Sequence, residues 1–276
     1  MTSYLSIYDL EKGRIIPVLQ TETLIEAPNW TPDGKTLIVN GQGMLFRVSL
    51  DDPGLERIDT GPADSLNNDH GVSPDGQTLV ISDASAHGDS CIYTLPIGGG
   101  DPQQITKNVP SWWHGWSPDG KTLAYAARRE SVMGIYTIAV SGGTETCLNQ
   151  DLEHCDGPDY TPDGAWIWFN GARAGAMDLW RMRPDGNELQ RMTDEPTQNW
   201  FPHPSPDGRQ VLYLAYESGV FGHPRNHSVK LRLMPSGGGP SRPICELYGG
   251  QGSLNVPCWH PDGSLFAFVA YREPGL

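Results

Sequence analysis

The tripeptide Pro-Asp-Gly recurs with a regular period, beginning at Pro32, Pro74, Pro118, Pro162, Pro206 and Pro261, at intervals of 42, 44, 44, 44 and 55 residues. Each copy follows Ser, Thr or His and precedes a run, such as residues 121–127, in which polar residues give way to alternating apolar ones. Proline fixes φ at the first turn position, the Asp side chain bonds back to the backbone, and glycine accepts the positive φ that closes a hairpin. The chain is thus expected to contain six copies of strand, tight turn, strand.

An aliphatic–aromatic pair follows most of these hairpins: Leu45-Phe46, Ile92-Tyr93, Ile135-Tyr136 and Leu179-Trp180, with Ile7-Tyr8 near the N-terminus and Leu231-Arg232 in the fifth unit. This marks a third strand. Glycine-rich turns at 98–100, 142–143, 186 and 237–239 then lead to a fourth, as in residues 103–106 and 190–193. Four strands recurring at this period define a propeller blade. The last unit holds only two strands, at 256–259 and 265–271, and the N-terminus only two, at 5–9 and 15–19. Joined, they complete one blade and close the ring, which removes exposed sheet edges. The expected fold is all-β: a single six-bladed β-propeller domain over 1–276, four antiparallel strands per blade. Its blades are expected near 21–60, 61–106, 107–149, 150–193 and 194–247, with 248–276 plus 1–20 as the sixth. A content of 33 Gly and 24 Pro fits many short strands and opposes long helices.

The net charge of −14 repels phosphate backbones and anionic membranes, so no nucleic-acid or membrane partner is expected. The longest apolar run, 265–270, is too short to span a bilayer, and residues 1–14 lack the pattern of a secretory leader. A cytoplasmic, monomeric protein is the corresponding expectation. Five cysteines without CxxC spacing are expected to be reduced and semi-buried.

The Pro-Asp-Gly blade motif resembles that of the TolB-type six-bladed propellers, relatives of the WD-type repeats, across essentially the whole chain. The resemblance implies the fold and says little of function. Periplasmic TolB of the Tol-Pal system carries a signal peptide and an additional N-terminal α/β domain. Here the propeller begins at about residue 4, so the Tol-Pal role is not carried over.

The connections opposite the Pro-Asp-Gly turns form the face expected to carry a site. Seven of the eight histidines fall in them, His260 alone lying beside a repeat turn. Imidazole suits proton transfer and metal binding near neutral pH. Four residues before the repeat proline stand His70 and His114 on adjacent blades. Three before it stand Asp159 and His203 on the next two. This ring, His70, His114, Asp159 and His203, is the expected catalytic set if the chain is an enzyme, and His70, His114 and His203 are candidate ligands for a divalent metal such as Mn or Ca. Gly71 and Gly115, beside the two histidines, would leave room for a ligand or for a neighbouring strand. Candidate ligand-binding residues on the same face are Asp69, Trp113, Asp156, Asn199, Trp200, Arg128, Arg173, His223, Arg225 and Arg272. Loop polarity and hydrogen bonding between blades would account for the same residue types.

Trp30, Trp116, Tyr160 and Trp259 recur two residues before the repeat proline and are expected between blades. Trp112, Trp113 and Trp200 fall outside that register, at the channel mouth, where they would stack on a sugar ring, anchor a protein segment or join the core. The extra length of the fifth unit lies in 217–230 and 248–255, which read as a rim or lid. Arginines at 128, 129, 173, 225 and 272 beside that rim suggest a small anionic ligand, or ordinary pairing with Glu130, Glu217 and Glu273. Residues 198–208 (QNWFPHPSPDG) are also similar to a segment of the oligogalacturonate lyases, which implies His203 and Gln198 as metal ligands, although Phe201 replaces an expected second histidine. Two functions follow: a binding scaffold for a small anionic molecule, carbohydrates included, or a protein segment; alternatively a metal-assisted lyase or hydrolase acting on an acidic sugar.

Overall fold

The computed structural model describes residues 1–149 and 151–272. Its secondary structure is entirely β, in six sheets. From the inside outward, blade one comprises Glu26–Trp30, Thr36–Gly41, Met44–Ser49 and Glu56–Ile58. Blade two comprises Leu66–Val72, Thr78–Asp83, Cys91–Pro96 and Gln103–Gln104. Blade three holds Ser111–Trp116, Thr122–Arg129, Val132–Ala139 and Thr146–Asn149. Blade four holds His154–Tyr160, Ile167–Arg173, Ala176–Met182 and Gln190–Arg191. Blade five holds Gln198–Pro204, Gln210–Tyr216, His227–Pro235 and Arg242–Gly249. All pairings are antiparallel.

Blade six is built from both ends of the chain. Leu265–Tyr271 pairs with Ser3–Asp9 along its full length, and Ser3–Asp9 pairs in turn with Arg14–Thr21. The ring is therefore closed by a terminal staple. The inner position of this blade differs from the expected strand at 256–259: the segment meets its neighbour through an isolated bridge, Trp259 to Phe266, and the Ala267 and Val269 N–H groups donate to the Cys258 and Ser253 carbonyls. Pro257 lacks an N–H for a ladder. The carbonyls of Leu254, Asn255 and Pro257 instead turn to side chains of other blades, accepting from His203, His114 and Asn29.

The repeat turns follow one hydrogen-bond plan. In five blades a Ser or Thr hydroxyl meets the Asp carboxylate at 2.6 Å, as in Thr31 with Asp33 and Ser117 with Asp119. The same carboxylate accepts a backbone N–H two residues on. In the sixth, His260 takes the hydroxyl's place beside Asp262. Trp30, Trp116, Tyr160 and Trp259 are buried within the apolar clusters of the blades. The cysteines are free, and Cys147 is the exposed one.

Gly71 and Gly115 make room for neighbouring protein. A Cβ at Gly71 would lie 2.1 Å from the ring of Trp113, and one at Gly115 would lie 2.7 Å from the Pro158 carbonyl.

Candidate functional site at the channel mouth

Every inner strand except that of blade six shifts register partway along: between Glu26 and Asn29, Leu66 and His70, Trp113 and Gly115, Asp156 and Asp159, and Trp200 and His203. A bulge re-aims the side chains on either side of it. The consequence is a ring six residues before each repeat proline: Glu26, Asn68, Trp112, Asp156, Trp200 and Asn255. All but Glu26 line one of two adjoining cavities. Of the ring expected at three and four residues before the proline, His114 is the member that lines a cavity.

The first cavity, 880 Å³, lies over blades four and five and is lined by Met177, Trp200, Val220 and Phe221, with His154, Gln198, His223, Arg225 and Gln251. The second, 510 Å³, lies over the channel and is lined by Asn68, Asp69, Trp112, His114, Arg128, Met133, Asp156, Phe201 and Asn255, and shares His154, His223 and Gln251 with the first. The fifth-unit insertions form the wall between them. Arg225 bonds Glu26, His223 bonds Gln251, and the Gln251 N–H reaches the Pro224 carbonyl. At the tip of this wall Phe221 is 98% exposed.

His114 occupies the channel. Its Nδ1 donates to the Asn255 carbonyl at 3.2 Å, and its Nε2 lies 3.1 Å from Asp156 Oδ1 and 3.9 Å from Asp69. Its ring stacks on Phe201, whose backbone sits at φ 54° and whose N–H is held by Asn170. A bulky residue in that conformation is strained, and Gly157 leaves the space for it, since a Cβ there would lie 2.9 Å from the Phe201 ring. Burial opposes charge on His114, but Asp69 and Asp156 outweigh it and hold the imidazole up to about 9. Burial also pushes Asp69 up to about 7, against the pull of His114. Burial acts likewise on Asp156, yet the hydrogen bond and charge of His114, with His223 and His154 behind it, keep that carboxyl well below its usual range. His223 is lowered, chiefly by burial.

The four ring residues expected to act together are separated. His70 is fully buried, its Nε2 facing the Ile38 carbonyl of blade one at 3.3 Å, and burial lowers it to about 4. His203 pairs with Asp159 at 3.0 Å and reaches the Leu254 carbonyl, fastening blades four, five and six. His114 alone of the four opens onto the mouth. Gln198, the other ligand implied by the lyase resemblance, accepts the Met177 N–H. Among the described residues no group of three His, Cys, Asp or Glu has the arrangement to hold a metal ion. The residues present therefore do not fit the manganese or calcium site expected from sequence.

Of the ligand-binding candidates, Asp69, Asp156, Trp200, Arg128, His223 and Arg225 line the cavities. Trp113 does not: it is fully buried, packed over Gly71 and against Trp116, because the bulge turns it between blades. Asn199 is fully buried too, bonded to Thr193 and Thr197. Nor do the arginines form a shared rim. Arg129 is bound by Glu145, Arg173 lies over Trp180, Arg225 bonds Glu26, Arg128 points to Asp89 at 4.0 Å, and the exposed Arg272 has its N–H on the Thr2 carbonyl. Glu273 lies outside the described residues. Sequence reasoning passed over His154, Phe201, Phe221, Gln251 and Asn68 as site residues. Counting back six from the repeat proline, rather than three or four, would have found Asn68 and the rest of its ring.

The geometry defines a six-bladed propeller with a two-part cleft at its channel mouth. The chain belongs to the TolB-type β-propeller family: the model for the TolB β-propeller domain matches residues 108–237, and an Agrobacterium fabrum protein, Atu1656, is 48% identical over 272 residues, 98% of this chain and 93% of its own. A solved Agrobacterium tumefaciens structure provisionally assigned as TolB superposes with a TM-score of 0.97 at 48% identity, covering 99% of both chains. The Tol-Pal system protein TolB of Francisella tularensis is 22% identical over 220 residues, 76% of this chain and 50% of its own, so this chain spans about half the length of that relative. An oligogalacturonate lyase structure with manganese shares the fold at 14% identity and TM-score 0.60, covering 95% of this chain and 76% of that one.

Proposed function

We propose that this propeller is a binding scaffold that seats a polypeptide segment across the channel mouth. The observation that carries this reading is the paired cleft, an apolar cavity joined to a polar one, whose walls hold buried polar atoms without partners. Trp200 Nε1, His154 Nε2, Asn68 Nδ2 and Arg225 Nε have no hydrogen-bond partner among the described residues. All four are donors or can be, and an extended backbone brings carbonyl acceptors. A fully exposed Phe at the rim is the kind of side chain that buries on a partner.

The small anionic ligand is the weaker reading, since the arginines expected to hold it are dispersed. The metal-assisted lyase is not favoured, since its ligand set does not converge.

The test is selection of random twelve-residue peptides displayed on phage, followed by titration of the selected peptides against wild type and Phe221→Ala. Enrichment, with affinity falling about tenfold in the variant, is expected for an exposed aromatic anchor. Absence of enriched peptides overturns the reading.

A further inference from the structure

We infer that the cavity over the channel selects a positively charged group, so that the segment seated at the mouth carries a Lys or Arg side chain beside its apolar anchor. This rests on the proposed binding role and reverses the ligand charge expected from the arginine count.

The lining of the 510 Å³ cavity is the ground for it. Asp69 is 6% exposed, and no donor among the described residues lies within hydrogen-bonding distance of its carboxylate; its nearest cation, His114 Nε2, is 3.9 Å away. Asp156 Oδ1 is taken by His114 and by the Gly157 N–H, but Oδ2 faces only His154 and His223, at 4.0 and 3.9 Å. Two buried carboxylates thus open acceptor sites onto one space.

The cations nearby are spoken for. The imidazole of His114 has both nitrogens engaged, by Asn255 and Asp156, and Arg225 is matched by Glu26. Arg128 lines the cavity's edge, half exposed, with the Asp89 carboxylate 4.0 Å away. Asp156 and Asp69 thus share the one His114 charge, and Asp69, 3.9 Å from it, has no cation of its own. Trp112 and Phe201 add aromatic rings to the same walls, and ring faces attract cations. Asn68 Nδ2, buried and unpartnered on the same wall, would take a carbonyl of the segment carrying that group. The apolar cavity shares His154, His223 and Gln251 with this one, so a basic and a large apolar side chain a few residues apart would reach both.

The experiment uses the peptides selected on the wild-type protein. Their sequences are expected to pair Lys or Arg with Trp, Phe or Leu within about four residues, the reach of an extended segment. Asp69→Asn is isosteric and its unfolding midpoint is checked first. Affinity is expected to fall about tenfold in this variant, and equally when the peptide arginine is replaced by citrulline, with no further loss when both changes are combined. Enriched peptides that are acidic or lack a basic residue overturn the charge assignment and leave the binding role standing. So does unchanged affinity in Asp69→Asn. Failure to enrich any peptide removes both.

Discussion

His114 of the third blade and Asn255, on the segment leading into the sixth, lie 3.2 Å apart, imidazole Nδ1 to carbonyl oxygen, and so join opposite sides of the ring. The same imidazole meets carboxylates from blades two and four and the Phe201 ring of blade five. One side chain ties five blades together at the floor of the cleft. His114→Ala removes one member of a buried charge pair and is expected to destabilise the protein by about 3–5 kcal/mol, measured by urea unfolding.

The protonation of His114 can be read directly. Held up to about 9, the ring should carry both protons at pH 8, visible in the imidazole nitrogen shifts of the folded protein. Because the folded value is raised above the ordinary 6.5, its contribution to stability is fully present below that value and is lost as pH rises through about 9.

His70 behaves oppositely. Buried and lowered to about 4, it stays neutral in the folded chain while the unfolded chain takes up a proton below 6.5. Stability from this group is therefore lost as pH falls from 6.5 toward 4, by about 3 kcal/mol. Asp69 acts in the other direction over an overlapping range, so the difference between wild type and His70→Gln isolates the histidine. Urea midpoints of the two should converge as pH falls.

Gly71→Ala would place a methyl 2.1 Å from the Trp113 ring, between two blades with no slack. Overpacking of this kind costs about 1–3 kcal/mol, and the thermal midpoint should drop. Phe221→Ala, by contrast, changes a side chain 98% exposed and should leave the unfolding free energy within about 0.5 kcal/mol of wild type.

The ring was legible from sequence because each blade repeats the same turn chemistry at a fixed period, and the termini could be joined by counting strands. Leu265–Tyr271 appears where the alternation put it. The inner strand of blade six was not legible, because Pro257 and three carbonyls aimed at the channel replace its ladder. The mouth was half legible. Asp69, Asp156, Trp200 and His223 could be placed on the right face, but bulges decide which residues of an inner strand point into the channel, and period-two counting cannot see them. That is why Trp113 went to the core and Trp112 to the cavity. Phe201 stood out in the sequence as a departure from the lyase pattern; in the structure it is the strained residue that supports His114.

The most direct test of a binding cleft at the channel mouth is a methyl spectrum of the protein labelled at methionine, recorded as a display-selected peptide is added. Met177 and Met133 line the apolar and polar cavities respectively, while Met1, Met44, Met182, Met192 and Met234 line neither. Saturable shifts of Met177 and Met133 with the other five unmoved are the predicted result. Shifts confined to those five would place the peptide elsewhere on the ring and contradict it.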